Sequence, residues 1–172
     1  MTQFAAHPSD IGLRAARAIF GAVIAECNLV VPWRTRPRSF VALMSLYESN
    51  YLRLAQLAGD LRSLPERSVS RVTGDCTLLL CVCERARYTC ELLLTYLLPT
   101  VRPPLQLERV PNLRLRLYHD ARLLEARGAG EVAPERELHR CWQRNMMVNK
   151  WLEYCAERGH EFVRGAGDHR SG

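Results

Sequence analysis

The apolar residues of this chain fall into three regimes. Between Ser39 and Gly59, Phe40, Leu43, Tyr47, Leu54 and Leu57 recur at three- and four-residue steps. That spacing draws one stripe down an α-helix. Ser39 can cap its start and Gly59 its end. Asn50 falls inside the stripe, where a buried amide is expected to satisfy a backbone group rather than hold a ligand. Beyond Val69 the period falls to two. Val69 to Thr73 and Cys76 to Glu84 predict strands around a tight turn at Gly74-Asp75. A second turn at Glu84 to Arg87 leads into a strand over Tyr88 to Leu97, with Tyr88, Cys90, Leu92, Leu94 and Tyr96 on one face. The prolines between Pro99 and Pro111 predict a loop or irregular crossover. Leu113, Leu115 and Leu117 alternate along a fourth strand from Asn112, and Ala121 to Arg127 reads as a fifth. A turn near His119-Asp120 separates these two, with one long bent strand as the alternative. The chain then returns to helical spacing. Pro134, Glu135 and Glu137 suit a first turn, Gly159 suits the end, and Leu138, Trp142, Val148, Leu152 and Cys155 line an inner face.

Helix, five-strand antiparallel meander, helix, with both helices on one face of a sheet that is polar on the other, is an α+β two-layer sandwich. It occupies residues 39–160. Residues 1–38 read as an N-terminal extension. Ser9 can cap a helix running to about Glu26, with Ile11, Ala15, Ala18, Ala22 and Val23 on one side, and Pro32 to Arg38 form a basic, proline-broken linker. Residues 161–172 are Gly-rich and polar and read as a disordered tail.

Composition changes this picture little. A hydrophobic share of 48% and a charged share of 24% are those of an ordinary globular chain. No stretch approaches the roughly 18 uninterrupted apolar residues of a membrane span. Arg14 and Arg17 before Ala18 to Ala25 loosely imitate a signal peptide, but Glu26 interrupts the apolar run, and an amphipathic helix is the better reading. The net charge is +6, and Lys150 is the sole lysine. The arginines are scattered through every segment, so a solvated surface outweighs a nucleic-acid groove. The cysteines number seven, an odd count with no CxxC pair, and most lie in apolar runs. They read as small buried hydrophobes of a reduced, cytoplasmic protein.

Four clusters could carry chemistry. Tyr118, His119 and Asp120, with Glu125 beyond, could form a proton-transfer or anion site at a strand end. Strand parity puts Tyr118 and Asp120 on one face and His119 on the other, so a turn fixed by Asp120 is the blander reading. Cys76, Cys81, Cys83 and Cys90 invite a zinc reading, but their parity is mixed and core packing outweighs it. A two-residue turn at Arg85-Ala86 would set Cys81 opposite Cys90, as a thiol pair or a disulfide under oxidation. His139, Cys141 and Cys155 do not share one helical face. Arg114 and Arg116 lie on the outward side of the fourth strand with Tyr118, where a phosphate or RNA could dock, though a solvated strand face is favoured. No Gly-rich phosphate loop, GxSxG elbow, HExxH or paired-carboxylate motif is present.

Four places carry a family resemblance. They are Leu46, Glu48, Asn50, Tyr51 and Leu54 in the first helix; Glu84, Arg85, Tyr88 and Thr89 in the second hairpin; the run Leu115 to Ala121 with Glu125; and Gln143, Asn145, Trp151, Leu152 and Cys155 in the last helix. From Ser39 to His160 the chain resembles the YqiB-like family of small bacterial proteins, domain of unknown function 1249. The segment Gly128 to Ala133 is shorter than the family's counterpart, and His139 lies closer to the Trp151-Leu152 pair than the family histidine does. The resemblance implies a compact cytoplasmic α+β protein with no known cofactor. It also implies gene neighbours in nucleotide metabolism.

These observations favour a non-catalytic binding or regulatory module with no cofactor and no bound metal. Its binding residues would be Arg116, Tyr118, His119 and Asp120 with Gln143 and Asn145 of the last helix. A protein partner is expected first. A sensor or enzyme acting on a nucleotide-like anion is the alternative, and RNA binding a further one. No membrane contact is expected.

Overall fold

The computed structural model describes residues 38–99, 107–128 and 134–162. The helix, linker and tail expected at 1–37 and 163–172 lie outside the described residues. Helix α1 spans Phe40–Ala58. The Ser39 side chain accepts a hydrogen bond from the Ala42 amide at 3.2 Å, and Gly59 closes the helix at φ 70° with its N–H on the Ala55 carbonyl. The buried stripe includes Leu43, Leu46, Tyr47, Asn50, Leu54 and Leu57. Phe40, assigned to it from spacing, is the first helical residue. It projects past the packed part and is 67% exposed.

Strands β1 (Arg67–Ser70), β2 (Thr77–Arg85), β3 (Thr89–Pro99), β4 (Leu107–Tyr118) and β5 (Leu123–Arg127) form one sheet in the order β1-β2-β3-β4-β5, each pair antiparallel. Helix α2 spans Pro134–Glu157. The sequence-derived α+β architecture is therefore the observed one. An odd number of antiparallel strands returns the chain to the end at which α1 began, so α2 runs parallel to α1. Contacts between them advance together: Asn50 meets Asn145 and Asn149, and Arg53 meets Glu153. Both helices cover one sheet face. Leu78, Leu80, Leu92, Leu94, Leu115, Leu117 and Leu124 pack there against Leu54, Leu57, Val148 and Leu152. Trp151, fully buried, meets Tyr96 edge to face at 5.2 Å between ring centroids.

The connections differ from their expected form. Ser70 pairs with Leu78, so β1 and β2 are joined by a longer loop than a two-residue Gly74-Asp75 turn. Arg85 pairs with Cys90, and the register shifts between Val82 and Glu84. Cys81 therefore faces Leu93 rather than Cys90, and the two thiols lie on opposite faces of the sheet. Of the segment expected as a loop from Pro99 to Pro111, Pro99 and residues 107–111 are instead strand, and residues 100–106 lie outside the described residues. β3 continues to Pro99, and β4 enters at Leu107 and passes through Pro111. Leu94 pairs with Leu113 but Tyr96 with Val110, which leaves one extra residue on β4. A proline without an amide proton is tolerated at such a bulge. A turn, not a bent strand, separates β4 from β5.

Two asparagines seal the free edge of β5. The Asn145 side-chain oxygen accepts from the Ala126 amide at 2.8 Å and from Asn50 at 3.1 Å. The Asn50 amide also reaches the Leu124 carbonyl at 3.4 Å and accepts from Asn149 at 3.0 Å. Edge groups that would otherwise solicit another strand are thereby satisfied from the helix layer.

The chain beyond α2 is tied down as far as Phe162, further than the expected tail boundary. The Phe162 amide donates to the Leu57 carbonyl at 2.8 Å and its ring is buried. His160 is buried beside Ser70, whose hydroxyl lies 3.0 Å from Nδ1, while Asp75 lies 3.5 Å from Nε2. The Ser70 oxygen also accepts from the Glu161 amide at 3.0 Å. Burial holds the His160 imidazole below its ordinary value of about 6.5 despite Asp75, and burial with Arg62 and Arg85 does the same for His119. The unfolded chain thus takes up protons near pH 6.5 that the folded chain accepts only at lower pH. Stability contributed by these groups is full above about 6.5 and is lost as pH falls below it. The melting temperature should decline between pH 7 and 5, less so in His160→Asn. A flat profile over that range would show that neither imidazole is held neutral.

Candidate functional site

Strand parity decides what the face turned away from the helices presents. On β4 the inward leucines alternate with Arg114, Arg116 and Tyr118. On β5 the inward Leu124 and Ala126 alternate with Leu123, Glu125 and Arg127. The register sets these side by side. One row across the sheet reads Cys81, Leu93, Arg114, Arg127, and the next reads Glu84, Glu91, Arg116, Glu125. The outer face is polar over β4, β5 and the adjoining end of β3. Toward β1 and β2 it carries Val69, Leu79 and Cys81, and there Leu79 and its partner Thr95 are fully buried.

The second row is largely paired within itself. Arg116 donates from Nε to Glu91 in a close ion pair, which also raises the pKa of its guanidinium. Tyr118 donates its hydroxyl to Glu125 at 3.0 Å, and burial followed by that carboxylate pushes its phenol up. The first row has no pairing within itself. Arg114 and Arg127 face each other directly across β4 and β5, where like charges repel. Arg127 has Glu125 at 3.7 Å, and Arg114 has no ion pair among the described residues. Cys83, Glu84, Glu91, Leu93, the three arginines and Gly128 line a concavity of about 490 Å³ over this region. Gly128 stands at its lip, where a β-carbon would come within 2.9 Å of the Arg144 guanidinium, itself held by Glu137 at 2.8 Å.

Of the residues singled out from sequence, Arg116 and Tyr118 belong to this face. His119 and Asp120 lie in the turn beyond it. The His119 amide bonds the Tyr88 carbonyl at 2.9 Å, its carbonyl accepts from Arg62 at 3.3 Å, and Asp120 caps the Ala121 amide at 2.9 Å. Gln143 is exposed on α2, in the layer covering the other face. Asn145 is buried under β5, with its amide donating to the Cys141 carbonyl at 2.8 Å and its oxygen taken by Ala126 and Asn50. The six therefore do not converge. Glu91 and Arg127 were missed. Their signal was the outward parity of β3 and β5, legible only once the register placed them beside Arg116 and Arg114.

The described thiols do not gather. Cys81 and Cys90 take opposite faces, Cys76 lies before β2, and Cys83 occupies the β2 irregularity. Burial first, and then Glu137, push the Cys141 thiol up to about 11, and burial raises that of Cys155 to about 12. Among the described residues no group of three or more His, Cys, Asp or Glu side chains could hold a metal ion, and no helix is long and apolar enough to cross a membrane.

A family model described as a protein of unknown function, DUF1249, matches residues 53–161, from the middle of α1 to the turn after α2. No curated protein and no solved structure matches the chain. The matched span contains the whole sheet, the arginine row and Asn145 of the two asparagines that seal its edge, and the chain belongs to this family of unknown function.

Proposed function

We propose that the protein is a non-catalytic binding module whose working surface is the polar half of the open sheet face, occupied by an acidic ligand or partner. One observation carries this reading: on the face turned away from the helices, three arginines line a 490 Å³ concavity against two glutamates, one of which, Glu91, is already paired with Arg116. The ionisable groups around it are tied to one another rather than poised for proton transfer. Tyr118 is held by Glu125, and Arg116 by Glu91. A cytoplasmic setting suits the module, because its described cysteines are all free.

The test is a titration of isotopically labelled protein with a poly-glutamate peptide and, separately, a poly-lysine peptide, followed through backbone amide resonances. The acidic peptide should shift residues 91–93, 114–116 and 125–128, and the basic one should leave them unmoved. Shifts confined to the helix layer, or equal responses to both peptides, would remove the sheet face as the working surface.

A further inference from the structure

We infer that the groove is built to hold a phosphate monoester, its dianionic group clamped between Arg114 and Arg127 over Leu93. This rests on the reading of the sheet face as a binding surface and names the ligand class that face would take. Charge is the first argument. Arg114 and Arg127 are direct cross-strand partners, and the carboxylates around them are largely engaged: Glu91 by Arg116, and Glu125 by the Tyr118 hydroxyl with Arg127 at 3.7 Å, while Glu84 lines the far, β2 side of the groove. Facing residues on neighbouring strands have β-carbons only about 4.5–5.5 Å apart, and like charges there are unfavourable. A phosphate monoester carries about −1.5 to −2 charges near neutral pH, enough to neutralise both arginines. A single carboxylate would leave one of them uncompensated.

Geometry is the second argument. One guanidinium fork already satisfies a carboxylate through two parallel hydrogen bonds. Two forks approaching from adjacent strands offer more donors than a carboxylate can accept, whereas the terminal oxygens of a phosphate can take both. Arg116, fixed to Glu91, bounds one side of the clamp without joining it. Size is the third argument. The concavity falls within the ~300–1,000 Å³ of small-molecule sites, which leaves room for the group that carries the phosphate. Leu93 and the aliphatic stems of the arginines offer that group an apolar floor.

The experiment is calorimetric titration of the full chain with inorganic phosphate, glucose 6-phosphate and a phosphoserine tripeptide at constant ionic strength. It is run beside the acidic-peptide titration and on Arg114→Gln, Arg127→Gln and Arg71→Gln. Arg71 is exposed on the β1–β2 loop and controls for net charge. At least one ester should bind, and each clamp substitution should weaken it about tenfold or more while Arg71→Gln leaves it unchanged. The tighter of the two esters identifies what the phosphate is carried on. Affinity should also fall between pH 7 and 5 as the dianion takes up one proton near pH 6 and becomes a monoanion. Three outcomes overturn the proposal. If the acidic peptide binds and no phosphate does, the clamp falls and the binding face stands. If neither binds, both fall. If Arg71→Gln weakens the ester as much as the clamp variants do, the effect is general charge and no clamp exists. Unchanged unfolding midpoints of the variants, whose altered side chains are exposed, exclude misfolding as the cause.

Discussion

Asn145→Ala is expected to destabilise the protein by about 3 kcal/mol, although it removes only a small polar side chain. Asn145 has no exposed surface and uses its amide at both ends. Its oxygen is the partner of the Ala126 amide on the free edge of β5 and of the Asn50 side chain. Alanine leaves both donors buried, and each buried group left unsatisfied costs about 1–3 kcal/mol. The Asn50 amide keeps a weaker bond to the Leu124 carbonyl, which holds the total below the sum. A midpoint fall on the order of 10 °C should accompany the loss. Gln143→Ala, two residues away and exposed, should change stability by under about 0.5 kcal/mol. Urea unfolding of the two variants makes the comparison. A loss under about 1 kcal/mol for Asn145→Ala would mean that water replaces the amide and that β5 is not sealed from the helix layer.

Trp151→Ala should cost still more, about 3–5 kcal/mol. The indole is the largest side chain with no exposed surface. It stands between the helix layer and β3, edge to face on Tyr96 at an interplanar angle of 79°. Removing it leaves a cavity at the centre of the sandwich, where the surrounding leucines belong to a sheet whose register is fixed and cannot collapse inward. Trp151→Phe, which keeps an aromatic edge against Tyr96, should recover roughly half of the loss. Chemical denaturation read by far-ultraviolet circular dichroism measures both. Equal stabilities of the Ala and Phe variants would show that neither the volume of the ring nor its edge on Tyr96 holds the core together.

These two positions also mark the limit of what the sequence discloses. Periodicity identifies α1 with both its caps, the alternation from Leu113 to Leu117, and the meander between two helices. Parity alone separates Tyr118 from His119. Register is another matter. The irregularity at Cys83 and the extra residue beside Pro111 each shift a pairing, and neither has a local signal strong enough to place it. The thiol pairing expected of Cys81 and Cys90 fails at the turn itself, because the hairpin pairs Arg85, not Cys81, with Cys90. The site was half legible. Arg116 and Tyr118 follow from outward parity on β4, but the clamp needs Arg127, which comes beside Arg114 only through the β4–β5 register. Asn145 illustrates the opposite error. A polar residue that fits a family pattern reads as functional, yet here it serves a strand edge. Its role depends on Ala126 and Asn50, which no spacing rule connects to it.

The parallel course of α1 and α2 has an electrical consequence. Antiparallel helix pairs cancel their backbone dipoles, whereas these two add, placing roughly half an elementary charge per helix, of the same sign, at each pole. The pole at Phe40 and Pro134 is therefore positive and the opposite pole negative. Arg62 and Arg158, just beyond the two carboxyl ends, stand at the negative pole. The helix layer is thus a fixed dipole lying beneath the sheet, and added salt weakens its field from both ends at once.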